Sequence, residues 1–366
     1  MPADAVPTAG ATAASNLPWD DPARQALFEA WLARVAPRHS LQPASLRSAS
    51  SDASFRRYFR IDAASAGSCI VMDAPPPQED VAPFIDIAGR IARAGLGAPQ
   101  VLEADAVNGF LLLTDLGSRL YLDELAAAVA QGDDARIETL MRAAIAALVR
   151  WQSHGDASGL PAYDDVLLRR ELALFPQWCV QAELGVAWSA DDEAVWQAAC
   201  DLLVHSALAQ PQVAVHRDYM PRNLMVCGPD SGLASPGILD FQDAVQGPIS
   251  YDVASLLRDA FISWDEEREL DWTVRYWEQA RKAGLPVDPD FAEFWRQLEW
   301  MGLQRHLKVL GIFCRLKQRD GKPKYSADLP RFFSYAHKVA ARYNALRPLS
   351  RLLEPLMGAA RIEVFG

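Results

Sequence analysis

The sequence predicts an α+β fold in two lobes, a small β-rich lobe followed by a large helical one. Three observations predict it. The chain has 366 residues, too many for one small core. Between residues 55 and 114, short apolar and aromatic runs are separated by Pro and Gly. After Gly117 helical periodicity takes over, broken by one β island at 213–241.

Taken in order, residues 1–20 read as a disordered tail of Ala, Pro, Thr and Ser. A helix is expected over 21–35, with Leu27, Phe28, Trp31 and Leu32 at helical spacing. Strands follow at 55–61 and 68–73, the second stopped by Pro75-Pro76-Pro77. A helix over 80–94 leads to a hairpin of 99–104 and 110–114, its turn at Asn108-Gly109, a dipeptide suited to positive φ. This gives an N-terminal lobe over 21–116, expected to bind nucleotide, and a helical lobe over 117–366. Helices are expected there at 120–131, 134–153, 164–182 and 191–208, and from Ser250 almost to the end.

Bulk properties narrow the function. A formal net charge of −11 argues against a nucleic-acid partner, which calls for a basic face. No apolar run approaches the length of a membrane span, and residues 1–20 hold no Lys or Arg to start a secretory signal. Five scattered cysteines with no C-x-x-C pair read as reduced thiols, so a cytoplasmic protein is expected.

The chemistry is concentrated in one stretch. Val215-His216-Arg217-Asp218-Tyr219-Met220-Pro221-Arg222-Asn223 contains H-x-D-x4-N, and Asp240-Phe241-Gln242-Asp243 follows. Phosphoryl transfer asks for this set. An attacking hydroxyl needs a carboxylate to orient it and take its proton. The charge on a nucleotide's phosphates needs a divalent cation. Mg²⁺ prefers hard oxygen ligands, a carboxylate and an amide oxygen here. Asp218 suits the base, and Asn223 and Asp240 the metal ligands. Pairing of 224–226 with 238–241 as a hairpin brings Asn223 and Asp240 to one end of the site. His216 reads as a structural residue of this loop. The cofactors expected are therefore ATP and Mg²⁺, and the layout is that of a bilobal protein-kinase-like fold. A metal hydrolase built on H-x-D needs further ligands nearby, and the other five His lie in no ligand spacing.

Upstream, residues 48–54 read as a phosphate loop of small residues, with Ser50, Ser51 and Asp52 as the nucleotide contacts. The strand at 68–73 lacks the Lys that a kinase normally places there. Arg57 or Arg60 is expected to stand in for it; the two lie on opposite faces of one strand. Thr114, Asp115 and Leu116 sit where the lobes join and are expected to meet adenine.

His216-Arg217-Asp218, Asn223 and Asp240-Phe241-Gln242-Asp243 resemble the aminoglycoside phosphotransferase and choline kinase superfamily. More narrowly, residues 50–60, Met72-Asp73-Ala74-Pro75-Pro76 and residues 302–313 resemble the anomeric N-acetylmuramate/N-acetylglucosamine kinases of bacterial cell-wall recycling. The resemblance implies transfer from ATP to the anomeric hydroxyl of an amino sugar. It implies small-molecule partners only, with neither nucleic acid nor membrane, and says nothing of oligomeric state. It makes Asp252 a brace for the catalytic loop and directs attention to Asp259, Arg305 and His306 at the acceptor. Arg305 is favoured, because a guanidinium fork matches a carboxylate such as the lactyl group of N-acetylmuramic acid. Competing readings are a choline, aminoglycoside or homoserine kinase, and a nucleotide-binding pseudokinase; intact Asp218, Asn223 and Asp240 speak against the last.

Overall fold

The computed structural model describes residues 19–51, 55–64, 67–228, 235–259, 261–322 and 328–359. The expected N-terminal tail and Asp52 therefore lie outside the described residues, except for the last two tail positions. The chain divides into two compact units, Met1–Gly89 with Ala98–Gly117, and Arg90–Gly97 with Ser118–Gly366.

The first unit opens with α1 (Pro22–Val35). Asp21 caps it, accepting from the N–H of Ala23 at 2.8 Å, and Pro22 fills the first helical position, where no amide hydrogen is needed. Phe28, Trp31, Leu32 and Val35 are buried against Phe59, Ile61, Val71, Phe110 and Leu112. Those side chains belong to a five-stranded antiparallel sheet in the order β1-β2-β3-β5-β4. The strands are β1 (Arg47–Ser51), β2 (Arg57–Ala63), β3 (Gly67–Asp73), β4 (Val101–Asp105) and β5 (Phe110–Thr114). The β4–β5 turn requires glycine: Gly109 has φ +71°, and a Cβ there would stand 1.9 Å from the carbonyl oxygen of Ala74. Helix α2 (Ala82–Arg93) lies between β3 and β4 in the chain.

Two expectations are corrected here. Ser50 and Ser51, read as part of a phosphate loop, end strand β1, which pairs with β2 through Ser50↔Tyr58 and Ser51↔Arg57. Serine runs lack a period-2 apolar signal, so this strand is invisible to pattern and is made by its neighbour. The strand expected at 55–61 starts at Arg57 and continues to Ala63, the register that buries Phe59, Ile61 and Ala63.

Helices dominate the second unit: α3 (Tyr121–Gln131), α4 (Asp134–His154), α5 (Asp165–Leu172), α6 (Ala190–Leu208), α7 (Tyr251–Leu257), α8 (Glu266–Lys282), α9 (Phe291–Gln318), α10 (Leu329–Arg342) and α11 (Arg347–Ala359). The capping chemistry is regular. Asp133, Asp164, Asp265 and Asp290 each accept a first-turn N–H, and Ser189 forms a reciprocal capping box with Asp192. The single helix expected over 164–182 is two elements. After α5 the chain widens into a π-helical segment, Phe175–Glu183, where Pro176 supplies no amide hydrogen to continue an α-helical ladder. Gly311 of α9 packs on this junction; a Cβ would lie 2.4 Å from the backbone carbon of Leu174.

Two short antiparallel pairs complete the unit: β6 (Gln212–Val215) with β9 (Val245–Pro248), and β7 (Leu224–Met225) with β8 (Gly237–Ile238). The β7–β8 pair is the hairpin read from the sequence, but it stops at Ile238 because Asp240 turns at φ +59°. No helix among the described residues is long and apolar enough to cross a membrane.

Candidate active site

Strand β6 delivers the chain into the loop His216–Asn223. The loop's shape is imposed by Asp252, the second residue of α7, which is fully buried. One carboxylate oxygen accepts the N–H of His216 at 2.7 Å and the other that of Arg217 at 3.0 Å. Arg217 takes φ +75°, a left-handed conformation uncommon for a residue with a Cβ. Such a conformation persists only when its surroundings over-determine it. Burial pushes the Asp252 carboxyl up to about 7, although the two N–H donors and nearby Arg305 favour its charge.

His216 is a structural part of the loop. Its Nδ1 accepts the N–H of Asp218 at 3.2 Å, so Nε2 carries the hydrogen and donates to the carbonyl of Leu239 at 3.0 Å. Burial holds this ring neutral, with a pKa of about 4. The ring also meets Tyr219 edge-on, at 5.7 Å between centroids. The loop is thereby tied to the Leu239–Asp240 turn.

Asn223 joins the remaining members. Its Nδ2 donates to the carbonyl oxygen of Asp218 at 2.9 Å and lies 3.4 Å from Oδ2 of Asp240. Its backbone carbonyl accepts from Leu239 at 2.9 Å. The other oxygen of Asp240 accepts from Gln242 at 2.9 Å. One hydrogen-bonded cluster therefore holds Asp218, Asn223 and Asp240 together. With the Asn223 nitrogen engaged, its amide oxygen and the Asp240 carboxylate form a hard-oxygen donor pair. That pair fits a Mg²⁺ ion which keeps several waters and takes its remaining ligands from phosphate.

Beneath the loop lies a buried charged group that sequence reasoning missed. Glu171, near the end of α5, receives Arg217 Nη2 at 2.6 Å and Lys308 Nζ at 3.1 Å on one oxygen. Its other oxygen accepts from the hydroxyl of Tyr163, with Gln304 at 3.5 Å. Lys308 also donates to the Tyr251 hydroxyl at 3.0 Å. Burial opposes the charge on Glu171, but Lys308 and Arg217 outweigh it and hold the carboxyl at about 2. Nothing local in the sequence marks Glu171 or Lys308; packing of α5 and α9 brings them to the loop.

The expected acceptor residues divide. Arg305 is 3% exposed, with Nη2 4.0 Å from the sulfur of Met220, two positions beyond Asp218, while its Nη1 has no hydrogen-bond partner among the described residues. His306 is corrected. It is fully buried, stacks on Tyr335 at 4.9 Å and bonds the carbonyl of Arg258 at 3.2 Å, so it packs the helical core and offers no surface to an acceptor. Asp259 is likewise fully buried just beyond α7.

In the first unit, Arg57 and Arg60 each have a carboxylate partner. Arg57 lies on the α1 face, bound to Asp73 and stacked on Trp19 at 3.8 Å; Arg24 grips the same fully buried Asp73 at 2.6 Å. Arg57 thus balances a buried charge of its own unit. Arg60, on the opposite face, pairs with Asp115 through both Nε at 2.5 Å and Nη2 at 3.0 Å, and also reaches the carbonyl of Gly117 at 2.7 Å. Burial opposes the charge of Asp115, yet donors from Arg60, Ser68 and the Gly117 N–H hold its carboxyl below the usual range. Thr114 Oγ1 accepts from the N–H of Gln100 at 2.9 Å, and Leu116 is buried. Ser50 and Ser51 are placed by backbone only.

Among solved structures, choline kinase LicA from Streptococcus pneumoniae matches with a TM-score of 0.58 at 13% identity, over 87% of this chain and 100% of that one. An ADP-bound aminoglycoside phosphotransferase, APH(2'')-Ib, matches at 0.56 and 11% identity, over 84% and 97%. The fold is thus that of the protein-kinase-like phosphotransferases. The model of the phosphotransferase enzyme family matches residues 45–295. Relatives named N-acetylmuramate/N-acetylglucosamine kinase are 49% identical over 92% of this chain and 98% of the protein in Pseudomonas aeruginosa, and 46% over 93% and 98% in Neisseria meningitidis serogroup B. The chain belongs to the phosphotransferase enzyme family, among the kinases of this amino-sugar type.

Proposed function

We propose that this protein transfers the γ-phosphoryl group of ATP to the anomeric hydroxyl of N-acetylmuramic acid and N-acetylglucosamine, in cell-wall recycling in the cytoplasm, where ATP is supplied. The observation that carries the substrate reading is the 49% identity to a kinase so named, across nearly the full length of both chains.

The residues take these roles. Asp218 orients the anomeric hydroxyl and accepts its proton. The sugar oxygen then forms a bond to the γ-phosphorus as the bond to the β–γ bridging oxygen breaks, releasing ADP. The anomeric hydroxyl is more acidic than an ordinary alcohol, so a plain carboxylate suffices. Asn223 and Asp240 hold Mg²⁺, which when bound neutralises charge on the nucleotide phosphates. Asp252 and His216 keep the loop in shape. Ser50, Ser51, Asp52 and the Thr114–Leu116 stretch contact the nucleotide. Arg60 contributes there indirectly, by fixing Asp115. Arg305 meets the lactyl carboxylate, a reading supported by its buried guanidinium beside Met220, with one nitrogen unsatisfied among the described residues.

The test is ADP release measured by a coupled assay across the two amino sugars, choline and an aminoglycoside. Turnover with the amino sugars and not the others is expected. Turnover confined to choline or the aminoglycoside overturns the substrate reading.

A further inference from the structure

We propose that Glu171 is a positioning residue for the phosphoryl-transfer step, acting through Arg217 on the direction of Asp218. The inference deepens the function proposed above and rests on Asp218 being its base.

The geometry carries it. Arg217 immediately precedes Asp218 and stands at φ +75°. A non-glycine residue in this region is strained and stays there only if held. Three groups hold it: Asp252 takes its backbone N–H at 3.0 Å, Glu171 takes guanidinium Nη2 at 2.6 Å, and the carbonyl oxygen of Asp243 accepts from Nη1 at a longer 3.5 Å. Asp252 also holds His216 and so fixes the loop as a whole. Glu171 acts on Arg217 alone among the loop residues, and fixes the rotation of the backbone from which the Asp218 side chain departs. The Arg217 side chain also passes 5.9 Å above the Tyr163 ring, whose hydroxyl donates to Glu171. The anchor is itself rigid. Glu171 is 5% exposed and receives donors from α9 as well as from the loop.

A buried ion pair by itself is weak evidence of anything but its own electrostatic balance. What distinguishes this one is its attachment to a strained residue next to the reacting group. Lys308 serves the arrangement by adding a second cation, so that Glu171 remains a carboxylate acceptor for Arg217. Loss of the anchor lets Arg217 relax toward ordinary φ and turns Asp218 away from the acceptor hydroxyl. Sites that bind nucleotide or sugar without Asp218 are left as they were. The signature is therefore a fall in kcat with little change in either KM.

The experiment compares Glu171→Gln, Arg217→Lys, the double variant and Asp218→Asn as full-length proteins. For each, kcat and KM for ATP and N-acetylglucosamine are measured, with kcat normalised to the folded fraction from a circular-dichroism melt. Glu171→Gln keeps the size and loses the charge. Arg217→Lys keeps the charge and loses the fork, and it decides the matter alone if Glu171→Gln does not fold. Each is expected to lower kcat by about ten- to a hundredfold, the effect of losing one charge-assisted hydrogen bond, with both KM values within about threefold. The double variant is expected to be no worse than the more severe single one, because both act through one contact. Unchanged kcat per folded molecule in Arg217→Lys, or losses that multiply in the double variant, overturns the proposal. If Asp218→Asn itself retains turnover, it is the base assignment that fails.

Discussion

Asn223 and Asp240 are linked side chain to side chain at 3.4 Å across the β7–β8 pair, and Asn223 in turn holds the carbonyl of Asp218 at 2.9 Å. A change at Asn223 or Asp240 is therefore felt along the cluster that includes Asp218, whereas a change of the Asp218 carboxylate leaves the Asn223 contact, which is to backbone, in place.

Asp218→Asn is accordingly expected to fold and to bind ATP as the parent does. General-base catalysis contributes about 10²–10⁴-fold, and kcat should fall by that order. Single-turnover measurement with saturating ATP checks this; parental turnover sinks the assignment.

Asp240→Ala removes the formal charge offered to the cation, while Asn223→Ala removes only a dipole. Asp240→Ala should abolish the strengthening of ATP binding by Mg²⁺, and Asn223→Ala should weaken it. The measurement is ATP affinity by titration with and without Mg²⁺. An equal Mg²⁺ effect in the parent and Asp240→Ala removes Asp240 from the metal site.

Arg305→Ala should discriminate between acceptors. Losing a charge-assisted pair costs about 1.5–3 kcal/mol, so kcat/KM for N-acetylmuramic acid should fall roughly ten- to a hundredfold. N-acetylglucosamine, which has no lactyl carboxylate, should be affected far less. Equal losses for both sugars would make Arg305 the electrostatic partner of Asp252 and nothing more.

Stability should vary with pH in two separable ways. His216 has a depressed pKa of about 4 against 6.5, so its contribution is present above 6.5 and lost as pH falls through 4. Asp252 has a raised pKa of about 7 against 3.8, so its contribution is present below 3.8 and lost as pH rises through 7. Between pH 4 and 6.5 the two oppose each other. Asp252→Asn removes one of them and should make stability rise more steeply with pH across this window than in the parent. Urea denaturation at half-unit pH steps reads the slope, and parallel curves count against the coupling. Below about pH 4.5 Glu171 adds a loss of its own, complete once pH has fallen through about 2.

What the sequence disclosed follows from what is local. The loop from His216 to Asn223 is eight consecutive residues in which chemistry fixes the spacing, so the loop and its structural histidine were legible without coordinates. Asp240 was legible because a tight strand pair brings it back to Asn223. The α1, β3 and β5 elements were legible from apolar spacing. Strand β1 was not, since Arg47–Ser51 carries almost no apolar signal and is recruited by pairing with β2. Nor was the change to π-helical turns after α5, a junction on which Gly311 of a helix far along the chain packs against Leu174. His306 and Arg305 are adjacent in sequence and were weighed together, but about 100° of helical rotation sends one into the core and the other toward Met220.

The same rotation makes α9 a gauge. Between Glu299 and Gly311 this helix supplies a carboxylate to Arg258, Arg305 beside Met220, Lys308 to Glu171 and a bare backbone to Leu174, on one unbroken spiral. Adding or deleting a single residue in that span would swing every later contact by about 100° and slide it by about 1.5 Å. Length differences among homologous chains should therefore gather before Phe291 or after Gln318 and spare the turns between, however freely individual side chains there are exchanged.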